Sequence, residues 1–130
     1  MLATSHLIAF VATALPDQAR AFYRDVLGLA LRSEDDYALV FDANGTALRV
    51  AKVQELTPAP QTVLGWQVDD AEFVVRQLGV KGVRFERYPW MVQDDLGIWT
   101  TPDGARIAWF RDPDGNLLSV GSAANPVQNA

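Results

Sequence analysis

The 130-residue sequence has no cysteine and a single histidine, His6, and these two shortages exclude several kinds of functional site. Without cysteine there are no disulfides, thiolate zinc sites or thiol nucleophiles. Basic residues are also few: 11 Lys and Arg against 16 Asp and Glu give a net charge of −5, which argues against nucleic acid as a partner. No apolar run approaches the ~20 residues of a membrane helix, and residues 1–11 lack the features of a signal peptide. We therefore expect a cytoplasmic protein that binds neither nucleic acid nor membranes.

The apolar and turn-forming residues predict one α+β domain over residues 1–130, built from two similar modules. Hydrophobic residues make up 49% of the chain, enough for a packed core. In module one, residues 6–53, a strand at 6–11 precedes a helix that begins near Pro16 and ends at Gly28. Three further strands are predicted at 29–32, 37–42 and 46–53.

A proline-containing linker at 54–61 separates this module from module two, residues 62–121. There a strand at 62–68 precedes a short helix, which Asp69 or Asp70 caps and Gly79 stops. Further strands are predicted at 82–88, 97–101, 105–111 and 117–121.

The two modules read as an internal repeat. At the helix ends, Phe22, Leu27 and Gly28 recur as Phe73, Leu78 and Gly79. The hairpin at Asn44-Gly45, followed by Leu48 and Val50, is matched to Asp103-Gly104, followed by Ile107 and Trp109. This match requires an insertion in module two, which we place at residues 88–95.

Three segments resemble the vicinal oxygen chelate superfamily, which includes glyoxalase I, bleomycin-resistance proteins and extradiol dioxygenases. They are FYRDVLGL at 22–29, the corner Val68-Asp69-Asp70, and FRDPDGNLLSV at 110–120. The resemblance covers roughly residues 6–121. It implies two βαβββ modules whose strands form an incomplete barrel around a ligand cavity, often completed by pairing two chains.

The resemblance also implies four positions for the ligands of a divalent metal, usually His or Glu. Transferred to this sequence, they fall on His6, near Arg49, near Val63 and on Ser119. Valine offers no lone pair, and the arginine would repel a cation. Because three of the four positions lack a usual ligand, we predict no metal and no other cofactor.

The alternation of side chains along strands predicts what lines the cavity. If Ile107 and Trp109 repeat Leu48 and Val50 as helix-facing residues, then Arg106, Ala108 and Phe110 point inward. Trp90 and Trp99, with Tyr88 nearby, could form an aromatic flap, whereas Trp66 and Trp109 are expected in the core or at a dimer interface. The predicted ligand-binding residues are His6, Phe10, Arg49, Gln67, Trp90, Trp99, Arg106, Phe110 and Ser119.

These residues favour a metal-free protein that binds a small aromatic or drug-like molecule, as a homodimer that covers its open sheet edges. The acidic charge favours a cationic ligand, whereas inward-facing arginines would favour a carboxylate or phenolate. One alternative is a lyase, isomerase or dioxygenase with a non-standard or absent metal site, or one using His6 as a general base beside Arg49. Another is a structural module whose cavity is filled by side chains.

Overall fold

The computed structural model describes residues 1–124, and the chain divides into two compact units. Unit 1 comprises Met1–Pro58 together with Asp112–Gly115. Unit 2 comprises Ala59–Arg111 and Asn116–Ala130, of which residues 125–130 are not described. The α+β class and the two βαβββ modules are confirmed, because each unit carries one four-stranded mixed sheet and one helix.

Unit 1 follows the predicted order of strand, helix and three strands. Its elements are β1 (Ile8–Thr13), α1 (Pro16–Ala21), β2 (Ala30–Glu34), β3 (Ala38–Ala43) and β4 (Thr46–Lys52). The strands are arranged β1-β4-β3-β2, with β1 parallel to β4 and the other neighbours antiparallel. A parallel pair needs a crossover between its strands, and α1 with the hairpins after it provides that connection.

Two boundaries in unit 1 differ from the prediction. The first strand begins at Ile8, so His6 lies before it and is exposed. The predicted single helix is an α-helix that continues as a π-helical turn, Phe22–Val26, in which the Leu27 amide donates to the Phe22 carbonyl five residues earlier. Gly28 ends it as predicted, with φ +78°.

Unit 2 repeats the same arrangement. Its elements are β5 (Thr62–Gln67), α2 (Ala71–Val80), β6 (Trp99–Thr100), β7 (Arg106–Arg111) and β8 (Leu117–Ser122). The strands are arranged β5-β8-β7-β6, with β5 parallel to β8. Asp70 caps α2 by accepting a 3.1 Å hydrogen bond from the Phe73 amide, as one of the two predicted caps. Neither helix of the described chain is long and apolar enough to cross a membrane.

Three predictions for unit 2 were wrong. The helix passes through Gly79 to Val80, and Gly82, with φ +93°, follows it in the left-handed conformation. The strand predicted at 82–88 does not form; Phe85 makes an isolated bridge to Phe110, and the Tyr88 amide is taken by the Gln93 side chain instead of a strand. The strand predicted at 97–101 is limited to Trp99–Thr100.

The two most recognisable motifs hydrogen-bond to each other in unit 1. Tyr23 is fully buried, and its hydroxyl donates to Asp112 Oδ2 at 2.7 Å. The hydroxyl of buried Thr13 donates to Asp114 Oδ2 at 2.5 Å, and the Ala14 amide donates to Asp114 Oδ1 at 2.8 Å. The FYRDVLGL and DPDG segments therefore stabilise the fold of unit 1. Their resemblance to segments of other proteins accordingly indicates a shared fold.

This buried pair predicts how Tyr23 behaves in alkali. Burial first, and then the negative charge of Asp112, raise the pKa of Tyr23 well above its ordinary value. The phenol therefore stays protonated in the folded state, while the unfolded chain releases that proton above about pH 10. The contribution of Tyr23 to stability is complete below that pH and is lost as the pH rises further.

Phenolate absorbance of the wild type and of Tyr23→Phe, followed with pH, tests this expectation. The two folded proteins should show the same number of ionising tyrosines, and the wild type should gain one more only when it unfolds. Ionisation of Tyr23 while the protein remains folded would show that the phenol is open to solvent and not buried.

Candidate functional site

Two of the three site residues predicted in unit 1 share a sheet face, and the third lies outside the strands. Arg49 on β4 lies directly opposite Phe10 on β1, so the two side chains share a sheet face, as predicted. His6 lies four residues before Phe10, a separation of about 13 Å along an extended chain. The strand that places Phe10 opposite Arg49 therefore does not include His6, the general base of the alternative function.

The donor groups at the positions implied by the resemblance do not fit a divalent metal. They are one imidazole, one guanidinium, one isopropyl group and one hydroxyl, at His6, Arg49, Val63 and Ser119. Within residues 1–124, no group of three or more His, Cys, Asp or Glu side chains is placed to hold an ion. These side chains therefore lack the set of donors that a metal-dependent reaction of the superfamily would require.

Unit 2 presents a sheet face that does bring predicted residues together. On this face Gly65 of β5 lies opposite Ser119 of β8, and Gln67 lies opposite Gly121. Gln67 and Ser119 therefore share the face, as predicted. On the other side of β8, Trp109 and Ile107 of β7 lie opposite Ser119 and Gly121, so they belong to the same face.

This register corrects the orientation predicted for three residues of β7. Arg106, Ala108 and Phe110 lie on the opposite face, where Ala108 and Phe110 are fully buried against Val120 and Leu118.

The error came from matching the wrong hairpins. The two strand orders make the β7–β8 turn equivalent to the β3–β4 turn, so Leu48 and Val50 correspond to Leu118 and Val120. Ile107 and Trp109 belong to β7 and have no such correspondence to Leu48 and Val50.

A cavity of about 370 Å³ opens on the Ser119 face because small residues occupy the centre of the sheet. A Cβ atom on Gly65 would lie 2.8 Å from Ser119 Oγ, so that hydroxyl stands beside the space that the glycine leaves. Gly121 likewise contributes no side chain. The lining consists of Gly65, Trp66, Gln67, Ala105, Ile107, Ser119, Gly121, Ser122 and Ala123.

Four aromatic rings form a continuous row beside this cavity, and we call it the aromatic row. The ring centroids of Trp90 and Tyr88 are 5.0 Å apart, and those of Tyr88 and Trp109 are 5.9 Å apart. Trp109 and Trp99 follow at 6.2 Å with an interplanar angle of 30°. The row adjoins the cavity because Trp109 is paired with Ser119 and Trp99 with Ile107.

The structure therefore changes the expected roles of the tryptophans. Trp109, expected in the core or at an interface, is only half-buried and lies at the middle of the row. Trp66, given the same expectation, lines the cavity. Trp90, predicted in the flap, is at the outer end with 76% of its surface exposed, which is unusual for tryptophan.

The segment carrying Trp90 is held in place by the Gln93 side chain. Its amide oxygen accepts from the Tyr88 amide at 2.8 Å, and its amide nitrogen donates to the carbonyls of Glu86 and Gly97, both at 2.9 Å. Arg87 adds bonds of 2.6 Å to the carbonyls of Asp94 and Asp95. Five hydrogen bonds thus fix the backbone beside the exposed indole.

The charged groups near the row are paired with one another. Arg106 Nη2 lies 3.3 Å from Asp94 Oδ2, and Arg111 Nε lies 2.6 Å from Glu86 Oε1. Burial and then the charge of Glu86 raise the pKa of Tyr88, which keeps this phenol neutral at physiological pH. The row is thus an uncharged aromatic surface bordered by ion pairs.

Some residues on this face of unit 2 were predicted from the sequence, and others were not. Gln67 and Ser119, predicted as ligand-binding residues, line the cavity, and Trp90 and Trp99, predicted in an aromatic flap, belong to the aromatic row. The sequence did not predict that Ile107 and Trp109 share the Ser119 face, or that Gly121 leaves space there; Gly65 was expected on the same face as Gln67. Matching Asp114-Gly115 to Asn44-Gly45 would have corrected β8, but it would still align Trp109 with buried Leu39. The reason is that the β7–β8 turn is longer: Ala43 pairs with Thr46 in unit 1, whereas Arg111 pairs with Leu117 in unit 2.

Two βαβββ units, each an open mixed sheet with one helix, define the glyoxalase-like class of fold. Residues 5–120 match the family model of the Glyoxalase/Bleomycin resistance protein/Dioxygenase superfamily. The chain belongs to this superfamily.

Individual relatives agree with this assignment. The chain is similar to an uncharacterized protein, YraH, of Bacillus subtilis (strain 168), with 32% identity over 115 residues, covering 76% of this chain and 83% of that protein. Among solved structures it is similar to a lactoylglutathione lyase from Agrobacterium tumefaciens, at 21% identity and a TM-score of 0.71, covering 92% of this chain and 94% of that one. A glyoxalase/bleomycin resistance protein/dioxygenase from Alicyclobacillus acidocaldarius gives 16% identity and a TM-score of 0.68, covering 98% and 97%. At these identities the two structures establish the fold alone.

Proposed function

We propose that this protein is a metal-free small-molecule-binding member of the superfamily, and that it holds an aromatic ligand on the Ser119 face of unit 2. The observation that carries the proposal is the aromatic row beside a cavity with small residues at its floor. Apolar walls supply affinity, and a few polar groups orient the ligand.

The size of the cavity and the geometry of the row both support an aromatic ligand. A volume of about 370 Å³ lies near the lower end of the usual range for ligand pockets, about 300–1,000 Å³, and suits one ring or two fused rings. Trp99 and Trp109 are nearly parallel, which is the arrangement in which flat rings stack. A flat ligand that reaches from the cavity to Trp109 would extend this stack.

The alternative function, a lyase, isomerase or dioxygenase of the vicinal oxygen chelate type, has less support. The groups at the implied metal positions do not include a set of carboxylates and imidazoles, and His6 lies outside the strand that pairs with Arg49. The similarity to a lactoylglutathione lyase concerns the fold. The two functions can be distinguished by whether ligand binding requires a metal ion, since the proposed function does not require one.

Tryptophan fluorescence tests the proposal directly. Protein treated with EDTA is titrated with 4-nitrophenol, nicotinamide and quinoline, and at least one compound is expected to quench the emission saturably. Trp109→Ala should weaken that binding about 2- to 12-fold, because an aromatic contact contributes about 0.5–1.5 kcal/mol beyond the buried area. Adding Mn²⁺, Zn²⁺ or Ni²⁺ should leave the affinity unchanged. Absence of quenching by any compound, or quenching only after a metal is added, would contradict the proposal.

We further propose that the protein is a homodimer in the cytoplasm, with no nucleic acid or membrane partner. Edge strand β1 and the residue before it expose three large apolar side chains: Leu7 at 75%, Ile8 at 52% and Phe10 at 60%. Exposed apolar edges of this kind are usually covered by a partner. Sedimentation equilibrium should give twice the chain mass of 14.3 kDa, and Ile8→Lys should shift the protein toward monomer. A wild-type monomer at 100 μM would refute the dimer.

A further inference from the structure

The cavity lining is uncharged, and this restricts the ligand further than its aromatic character does. Within residues 1–124, all nine lining residues are glycine, alanine, serine, glutamine, isoleucine or tryptophan. The arginines of the segments that carry the row are engaged elsewhere: Arg106 with Asp94, Arg111 with Glu86, and Arg87 with backbone carbonyls.

A charged ligand would gain no opposite charge from this lining, and its ionised group would lose the hydration that contact with the sheet face displaces. Moving an ionised group out of water without a partner is among the most costly events in binding. A neutral polar group costs far less, provided that hydrogen bonds replace those to water. The uncharged lining therefore discriminates against both anions and cations.

Two polar side chains of the lining are available to make such hydrogen bonds. Gln67 is exposed, Ser119 is half-buried, and neither side chain bonds to another described residue. They sit two positions apart along one sheet face, because Gln67 is paired with Gly121 and Gly65 with Ser119. The glutamine amide both donates and accepts, as does the serine hydroxyl.

We propose that the cavity selects neutral aromatic molecules bearing an amide or a similar donor-acceptor group, and that Gln67 and Ser119 are its specificity-determining residues. This inference rests on the proposed function. The inference differs from both expectations based on the sequence. One was a cationic ligand, attracted by the acidic net charge, and the other was an anionic ligand, bound by inward-facing arginines. Arg106 lies on the opposite sheet face from Ser119, and Arg111 is paired with Glu86.

Three probes with one ring system test the selection: 2-naphthamide, 2-naphthoate and 2-naphthylmethylamine. Isothermal titration calorimetry at pH 7 should show the neutral amide binding at least about 10-fold more tightly than either charged compound, a difference of about 1.4 kcal/mol. Binding of the amine or the carboxylate at least as tightly as the amide would overturn the inference and leave the proposed function standing. Failure of all three to bind would overturn both.

Replacing Gln67 should increase the affinity for one of the charged probes. Replacing a residue with a purely structural role would not increase the affinity for any ligand. Gln67→Glu keeps the shape and adds a negative charge, so it should raise the affinity for 2-naphthylmethylamine about 2- to 5-fold, as expected of an ion pair at an exposed position, and lower that for 2-naphthamide. The matched control is Gln77→Glu, which adds the same charge on the exposed surface of α2. Equal effects of the two substitutions would show that the charge acts at long range and that Gln67 does not contact the ligand.

Discussion

Replacing Gly121 by leucine is expected to weaken binding of 2-naphthamide by about 100-fold while the protein remains folded. A Cβ atom at this position would meet the Arg106 carbonyl and Ile107 Cγ1 at 3.5 Å, which is ordinary van der Waals contact. The leucine side chain would then fill part of the 370 Å³ cavity. Excluding one aromatic ring from burial loses on the order of 3 kcal/mol of binding free energy, or about 100-fold in affinity.

Gly79→Leu is the matched control, because it adds the same side chain to α2, where a Cβ meets nothing within 4 Å. This control should bind 2-naphthamide as the wild type does and gain up to about 1 kcal/mol of stability, because glycine disfavours helix. Calorimetric titration measures the affinities, and denaturant unfolding confirms that both variants fold. Wild-type affinity in folded Gly121→Leu would place the ligand elsewhere.

Asp112→Ala is expected to lower the free energy of unfolding by about 3 kcal/mol or more. The carboxylate is 95% buried, since only 5% of the residue is exposed, and it accepts from the Tyr23 hydroxyl at 2.7 Å and the Asp114 amide at 3.0 Å. Hydrogen bonds to a charged group contribute about 1.5–3 kcal/mol each, and the substitution leaves a buried hydroxyl without its partner. This large loss is expected because unit 1 is held to its DPDG turn through these bonds.

The control for this substitution is Asp36→Ala, which removes an exposed carboxylate of the same unit. It should change the free energy of unfolding by less than about 0.5 kcal/mol. Urea denaturation of the three proteins at pH 7 gives the comparison. A loss below about 1 kcal/mol for Asp112→Ala would show that the Tyr23 to Asp112 contact does not stabilise the fold.

Local sequence patterns predicted the secondary structure well where they reflect which face of a strand is buried. Alternating apolar residues placed β3, β4, β5 and β8 within about one residue, because one face of each strand packs on the helix side. The helix ends were less predictable. Gly79 has no conformational requirement in the helix, whereas Gly82 adopts a positive φ, and the sequence does not distinguish the two glycines.

The remaining errors came from interactions between distant residues. The segment 82–88 has strand-forming residues, yet Gln93 and the carbonyls of Asp94 and Asp95 draw its polar groups into a different conformation. The side of β7 that carries Trp109 depended on which hairpins are equivalent, and only the strand order shows that. Consequently the shared face of Gln67 and Ser119 and the grouping of Tyr88, Trp90 and Trp99 could be predicted from the sequence, while the place of Trp109 in the aromatic row could not.

The sharpest test of a metal-free aromatic site is a ¹H–¹⁵N titration of EDTA-treated protein with 2-naphthamide. We expect shifts of the backbone amides of Gly65, Ser119 and Gly121, which form the floor of the cavity, and no shift at Gly79 on α2. Unchanged resonances at the three floor residues, or shifts that require an added divalent ion, would show that no such site exists on this face.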